Sequence, residues 1–305
     1  MDNFSTAREM EGYREQPKAM PVGTPGKQGL LDLEFEIDSR GKSILRKLDR
    51  RAPLIVQQAL YFDEEMPGMP CVYILSSGGP NVDGDRFFQR IVMHKGSYAF
   101  VTTGAATKLA EMKFNFSGMR QVIELEENSY LEFMPEPVIP CHHTRYISDT
   151  DLVIDPTATL FYSEIYTCGR KYYKQGERFA YDILSVCAHG ERPKGESLFR
   201  EKFIIRPTLY SPMRAGVMDD FDVFGNVIVM TPQDHAEKIF ASTPSFIDRG
   251  AGLAAGITRL PSQCGLLFKV LGCEAEPVKK CVREFCSRVR EEVKGKKLPQ
   301  EFPWR

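Results

Sequence analysis

A chain of 305 residues with 40 Lys or Arg against 41 Asp or Glu has a formal net charge of −1, which excludes a broadly basic nucleic-acid binder. Its 42% hydrophobic and 27% charged residues are those of a globular protein, with enough chain for one large core or two moderate ones. No apolar run is long enough for a membrane span and the N-terminus has no signal-peptide core, so the expected location is the cytoplasm. There the eight cysteines, none in a CxxC pair, stay reduced and serve mostly as small buried hydrophobes.

Residues 1–27 are charged, end in glycine and proline, and read as a loosely held arm. The first clear element is 31–38, where Leu31, Leu33, Phe35 and Ile37 alternate with Asp32, Glu34, Glu36 and Asp38. That alternation predicts a half-buried antiparallel strand. Short strand signals follow near 54–61, 71–76, 86–94, 97–103, 119–126, 129–134, 143–154, 158–167, 178–187 and 198–205. Their spacing predicts an all-β body over 28–215, layered, barrel or solenoid; no fixed-length repeat selects among them. Beyond 215 the character changes. A strand at 226–230, a short helix at 232–240, strands near 251–258 and 264–270, and a helix over 277–294 predict a small α+β portion, 216–305, packed on the body. The last helix places Val282, Phe285, Cys286, Val289 and Val293 on one face, with Pro277 in its first turn and Gly295 as its stop.

Three places carry candidate chemistry. The loop SSGGPNVDGDRF, 76–87, is flanked by two strands rather than opening a helix, and matches neither dinucleotide nor phosphate-loop spacing. Cys141-His142-His143 is the densest metal-capable run. On a strand only Cys141 and His143 would share a face, without the further ligands a tight site needs, so no tight metal site is expected. No nucleophile motif accompanies them, although Glu136, Asp149 and Asp151 are near in sequence. Glu132 and Glu164 stand inside apolar strands. Alternation puts each on the solvent face; the alternative is a paired, hydrogen-bonded or metal-facing carboxylate.

Five stretches, in order, resemble the urease accessory proteins of the UreD (UreH) family. Pro53-Leu54-Ile55-Val56-Gln57 through Tyr61 is similar to that family's PL-x-V-Q…FY element, and Gly79 through Gly84-Asp85 to its GG-x-x-GGD loop. Thr102-Thr103-Gly104-Ala105-Ala106-Thr107-Lys108 resembles a TT-P-GATK segment, and Leu131-Glu132-Phe133-Met134-Pro135-Glu136 an LEWLPQE-like one. Gly169-Arg170 and Gly176-Glu177-Arg178-Phe179 resemble its GR…GE-x-F segment, here with two extra residues between the halves. Pro80 and Asp83 stand where the family often has glycine, and Gly104 stands in place of a proline.

The resemblance implies a mostly β, helical-β body with a small α/β portion, acting as a scaffold rather than an enzyme. It implies binding to urease apoprotein and to a UreF-like accessory protein, which recruits a UreG-like GTPase. The cargo is nickel, held transiently, with no tightly bound cofactor and with neither nucleic acid nor membrane as partner. By motif position and chemistry, Asp85, Glu164 and Glu177, with Thr107 and Glu136 secondary, are expected along a nickel passage. Gly79, Gly84, Thr103, Gly104, Lys108, Glu132, Pro135, Gly169, Arg170 and Gly176 match the family's motifs and are expected to be structural. The competing class is a β-fold hydrolase or isomerase using Cys141, His143 and nearby acids.

Overall fold

The computed structural model describes residue 4 and residues 6–15 and 26–299. From Cys71–Ser76 onward the chain alternates between two sheets. Cys71–Ser76, Tyr98–Thr103, Tyr130–Phe133 and Thr159–Thr167 pair in parallel in the larger sheet. Arg86–Met93, Ser117–Leu125, Arg145–Ile154 and Ile183–Glu191 pair in parallel in the smaller one. Each coil thus gives one strand to each sheet, the helical-β arrangement. In the larger sheet every residue of Thr159–Thr167 but the last is buried, both faces being covered, whereas Arg86–Met93 of the smaller sheet alternates between buried and partly exposed residues.

Antiparallel strands finish both sheets. Gln28–Ile37 and Ser43–Arg51 close one edge of the seven-stranded sheet and Ser197–Ile205 the other. Gln28–Ile37 is antiparallel to Ser43–Arg51 but parallel to Arg86–Met93, because alternation reports one buried face and not the direction of the neighbours. Ser43–Arg51 was not expected; charged SILRKLDRR lies at a sheet edge, where no apolar stripe is needed. The short strands Thr107–Leu109 and Val138–Pro140 also escaped the sequence reading.

The larger, twelve-stranded sheet continues through Val223–Met230, Gly265–Gly272, Leu253–Arg259 and Phe246–Asp248. The strands of the expected C-terminal portion are therefore hydrogen-bonded into the body's own sheet, Val223–Met230 lying against Thr159–Thr167. Only the helices α1 (Gln233–Ser242) and α2 (Ala275–Lys294) form an added layer. One core fills the space between the sheets, with Leu31, Phe35 and Ile91 meeting Leu131, Leu160 and Ile228. A second lies between the outer face of the larger sheet and the helices: Phe161, Val227 and Phe268 against Val282, Phe285 and Val289.

Part of the expected arm, residues 1–3, 5 and 16–25, lies outside the described residues. Its described part sits on the smaller sheet, with Phe4 and Met10 buried against Phe116, Ile147 and Ile183. Glu9 is held there by Lys202 at 2.7 Å and by the Ser185 hydroxyl. Among the described residues no helix is long and apolar enough to cross a membrane.

Candidate functional site

Between the sheets, the inward positions of successive strands stack in rows, and one pair of rows is polar. On the smaller sheet the row runs Gln89, Gln121, Thr150, Ala188 and Glu201 in direct register. On the larger sheet it runs Glu164, Asn226 and Lys269. Apolar clusters flank this layer: Leu152, Leu160 and Ile228 on one side, Leu184, Val186 and Phe221 on the other. Tyr162 bridges the rows, its hydroxyl lying 3.2 Å from both Gln121 Nε2 and Thr150 Oγ1.

Glu164 is the buried carboxyl of the layer. Alternation predicted a solvent-facing acid, but the residue is only 6% exposed, because this strand is covered on both sides. Tyr166 donates its hydroxyl to Oε1 at 2.9 Å, while Oε2 has no partner among the described residues. Burial pushes the carboxyl up to about 7, with the Tyr162 and Tyr166 hydroxyls pulling the other way. Its register partner Asn226, 2% exposed, likewise leaves Oδ1 without a partner, and Gln89 leaves Nε2 so. Buried polar atoms are nearly always hydrogen-bonded, so these three atoms of one layer are exceptions, and six further such atoms lie elsewhere among the described residues. Sequence reading missed Asn226, Gln89, Gln121 and Thr150. Their signal was a polar side chain at an inward position of an otherwise apolar strand.

The other expected site residues lie apart from Glu164. Asp85 is fully buried and pins the loop: the backbone N–H groups of Lys27 and Val82 and the Lys27 ammonium each reach it at 2.9 Å. Asp83 does the same for the N–H groups of Lys113, Phe114 and Asn115. Gly79 and Gly84 turn the chain at φ 69° and 76°, so the glycine-rich stretch is a crossing from one sheet to the other. Asp85→Ala is expected to lower stability by about 1–3 kcal/mol through its stranded donors, read from urea unfolding. A change within error would show that the loop does not depend on this carboxylate.

Glu177 is clamped by Arg170, whose Nε and Nη2 lie at 2.7 and 2.5 Å, and this guanidinium holds the carboxyl below its usual range. A Cβ at Gly169, where φ is +125°, would strike the Glu177 carbonyl, and Gly176 has φ +90°. Thr107 donates its N–H to the Pro137 carbonyl, and Glu136 pairs with Lys279 of α2 at 3.0 Å. Thr103 Oγ1 accepts the Glu136 N–H, Pro135 lines a crevice with Glu136 and Lys279, and a Cβ on Gly104 would collide with the Leu75 side chain. The Lys108 carbonyl holds the Asn81 N–H.

Cys141-His142-His143 is a turn rather than a strand, so the strand face that Cys141 and His143 were expected to share does not form. His143 has φ 52° and faces Asp182 at 3.0 Å, whereas His142 lines a pocket of about 440 Å3 with Cys141, Lys108, Glu111 and Arg170. His142 is itself taken by Glu177 and Glu111, at 3.2 and 3.1 Å. Burial pushes the Cys141 thiol up, away from the thiolate that binds metal or attacks substrate. Among the described residues no group of three His, Cys, Asp or Glu is arranged to hold a metal ion.

Glu132 overturns the solvent-facing expectation in a different way. It lies on the outer face of the larger sheet, fully buried beneath α2. Arg290 grips both its oxygens at 2.6 Å, and the Tyr130 hydroxyl donates to it at 2.5 Å. The same guanidinium binds buried Asp63. Burial works against the Arg290 charge, and Glu132, Tyr130 and Asp63 more than offset it.

The architecture is thus a two-sheet coil with a covered polar layer between the sheets and helices tied to the outer face of one. The family model described as UreD urease accessory protein matches residues 27–305. Urease accessory protein UreD 2 of Brucella suis is 46% identical over 298 residues, covering 98% of each chain. Urease accessory protein UreD of Yersinia enterocolitica serotype O:8 is 45% identical over 305 residues, covering 98% of this chain and 93% of the other. The chain belongs to the UreD family. It is an accessory protein of urease maturation, not a catalyst, and the hydrolase or isomerase alternative on Cys141 and His143 is set aside.

Proposed function

We propose that this chain is a cytoplasmic scaffold that binds urease apoprotein together with a UreF-like partner, and through that partner a UreG-like GTPase. In this reading nickel reaches urease along the polar layer between the sheets. The observation that carries it is the pair of buried, unpartnered oxygens, Glu164 Oε2 and Asn226 Oδ1, on neighbouring strands of the larger sheet. A conduit must hold a divalent ion at scattered oxygens and release it, which a tight His/Cys cage would prevent. Asp85 and Glu177, expected along the route, each bind groups of their own chain and serve here by fixing its walls. Glu136, paired with Lys279 of α2, supports the larger sheet from its outer side, and Thr107 is tied to it through the Pro137 carbonyl.

The test is nickel per urease active site after maturation with Glu164→Gln combined with Asn226→Ala, alongside recovery of the complex. Nickel content is expected to fall while urease and the UreF-like partner still co-purify. Normal nickel loading by this double variant would remove the polar layer from the route.

A further inference from the structure

The two polar rows run outward to one place. On the larger sheet the row passes from Glu164, 6% exposed, through Asn226, 2% exposed, to Lys269, whose side chain is 53% exposed. On the smaller sheet it passes from Thr150 through Ala188 to Glu201 on the edge strand. Neighbouring inward residues place both ends in the gap between sheets: Phe199 and Phe203 flank Glu201, and Leu267 and Leu271 flank Lys269. Phe203 packs edge-on against Phe224 with centroids 5.1 Å apart, so the apolar wall beside the opening is continuous across the sheets. At the opening itself Lys269 Nζ meets Glu201 at 2.5 Å, a contact that spans from one sheet to the other.

We propose that the polar layer opens to solvent between Ser197–Ile205 and Gly265–Gly272, that the Lys269–Glu201 ion pair closes this mouth, and that a divalent cation passes when the pair parts. The identity of the cargo rests on the reading above; the mouth and its closure rest on register and exposure alone. The pair suits a gate. Half-exposed ion pairs are weak, so parting them is easy. Once they part, Lys269 can swing into water and leave the Glu201 carboxylate as the first oxygen a cation meets, with Asn226 Oδ1 and Glu164 Oε2 next inward.

Opening is measured without nickel, by the rate at which a neutral reagent, methyl methanethiosulfonate, labels an interior thiol, followed peptide by peptide in a mass spectrometer. Asn226→Cys is one reporter, and Ala188→Cys, on the facing wall, is a second should the first disturb folding. Adding Lys269→Ala is expected to speed labelling of either reporter by up to about five-fold, the most that releasing a surface pair yields. Lys269→Arg, which keeps the pair, should restore the slow rate. Lys95→Ala, which breaks the exposed pair with Glu127, should leave it slow. Equal rates with and without Lys269→Ala, or equal acceleration by Lys95→Ala, would overturn the gate. Labelling as expected with normal nickel loading in the Glu164→Gln, Asn226→Ala variant would keep the mouth and discard nickel as its cargo.

Discussion

Arg290→Ala is expected to destabilise the protein by about 3–5 kcal/mol in urea unfolding, because it strands two buried carboxylates that share one guanidinium. Glu132 and Asp63 are 0% and 2% exposed, and neither can recover water where it lies. The loss should appear as detachment of α2, since this cluster joins that helix to Tyr130–Phe133 and to the segment around Asp63. Removing all three charges together, as Arg290→Met, Glu132→Gln and Asp63→Asn, is expected to recover much of the stability, because desolvation and attraction are lost at once. A cost below about 1 kcal/mol for Arg290→Ala alone would mean that the carboxylates find water after all.

The second large effect is a pH dependence centred on Glu164. Its folded-state carboxyl is pushed up to about 7 from 4.5, so the folded chain holds a proton that the unfolded chain releases at lower pH. The stability tied to this group is therefore complete below about pH 4.5 and is lost as pH rises through about 7. A shift of that size corresponds to a change of about 3 kcal/mol across the window. Glu164→Gln never ionises and escapes the loss. The difference in unfolding free energy, variant minus native, should grow in the variant's favour from pH 4.5 to 8 and level off above, other groups cancelling. A flat difference would mean that Glu164 is charged throughout and paired in some other way. On the nickel route proposed above, a cation beside Glu164 would have to expel this proton, so the nickel delivered per urease active site should rise toward alkaline pH.

Glu132 and Glu164 show where sequence stops. Each is an acid in an apolar strand, and alternation assigned both to solvent. The larger sheet is instead covered on both faces, by the smaller sheet on one and by the helices on the other, so alternation only chooses which interior an acid enters. Glu164 faces the space between sheets; Glu132 faces α2 and meets Arg290, 158 residues away along the chain. No local pattern encodes that distance.

The Cys141-His142-His143 run fails for a related reason. Its two-residue period presumes extended backbone, whereas φ at His143 is 52° and sends that side chain to Asp182.

By itself the sequence determined the family, through five motifs in order, and the mainly β class, through short alternating segments broken by glycine and proline. It also determined the last helix, whose apolar face and Gly295 stop stand as expected, the glycine at φ 66°. These are decided within a few residues by side-chain period and backbone sterics. Only the tertiary structure decided which strands stack, and with that the polar layer itself. Gln89, Gln121 and Thr150 become one row because successive coils align in register, and Glu164 meets Asn226 because a C-terminal strand adds to the body's sheet. Register between distant strands follows from the summed burial of both sheets, a quantity that no single segment carries.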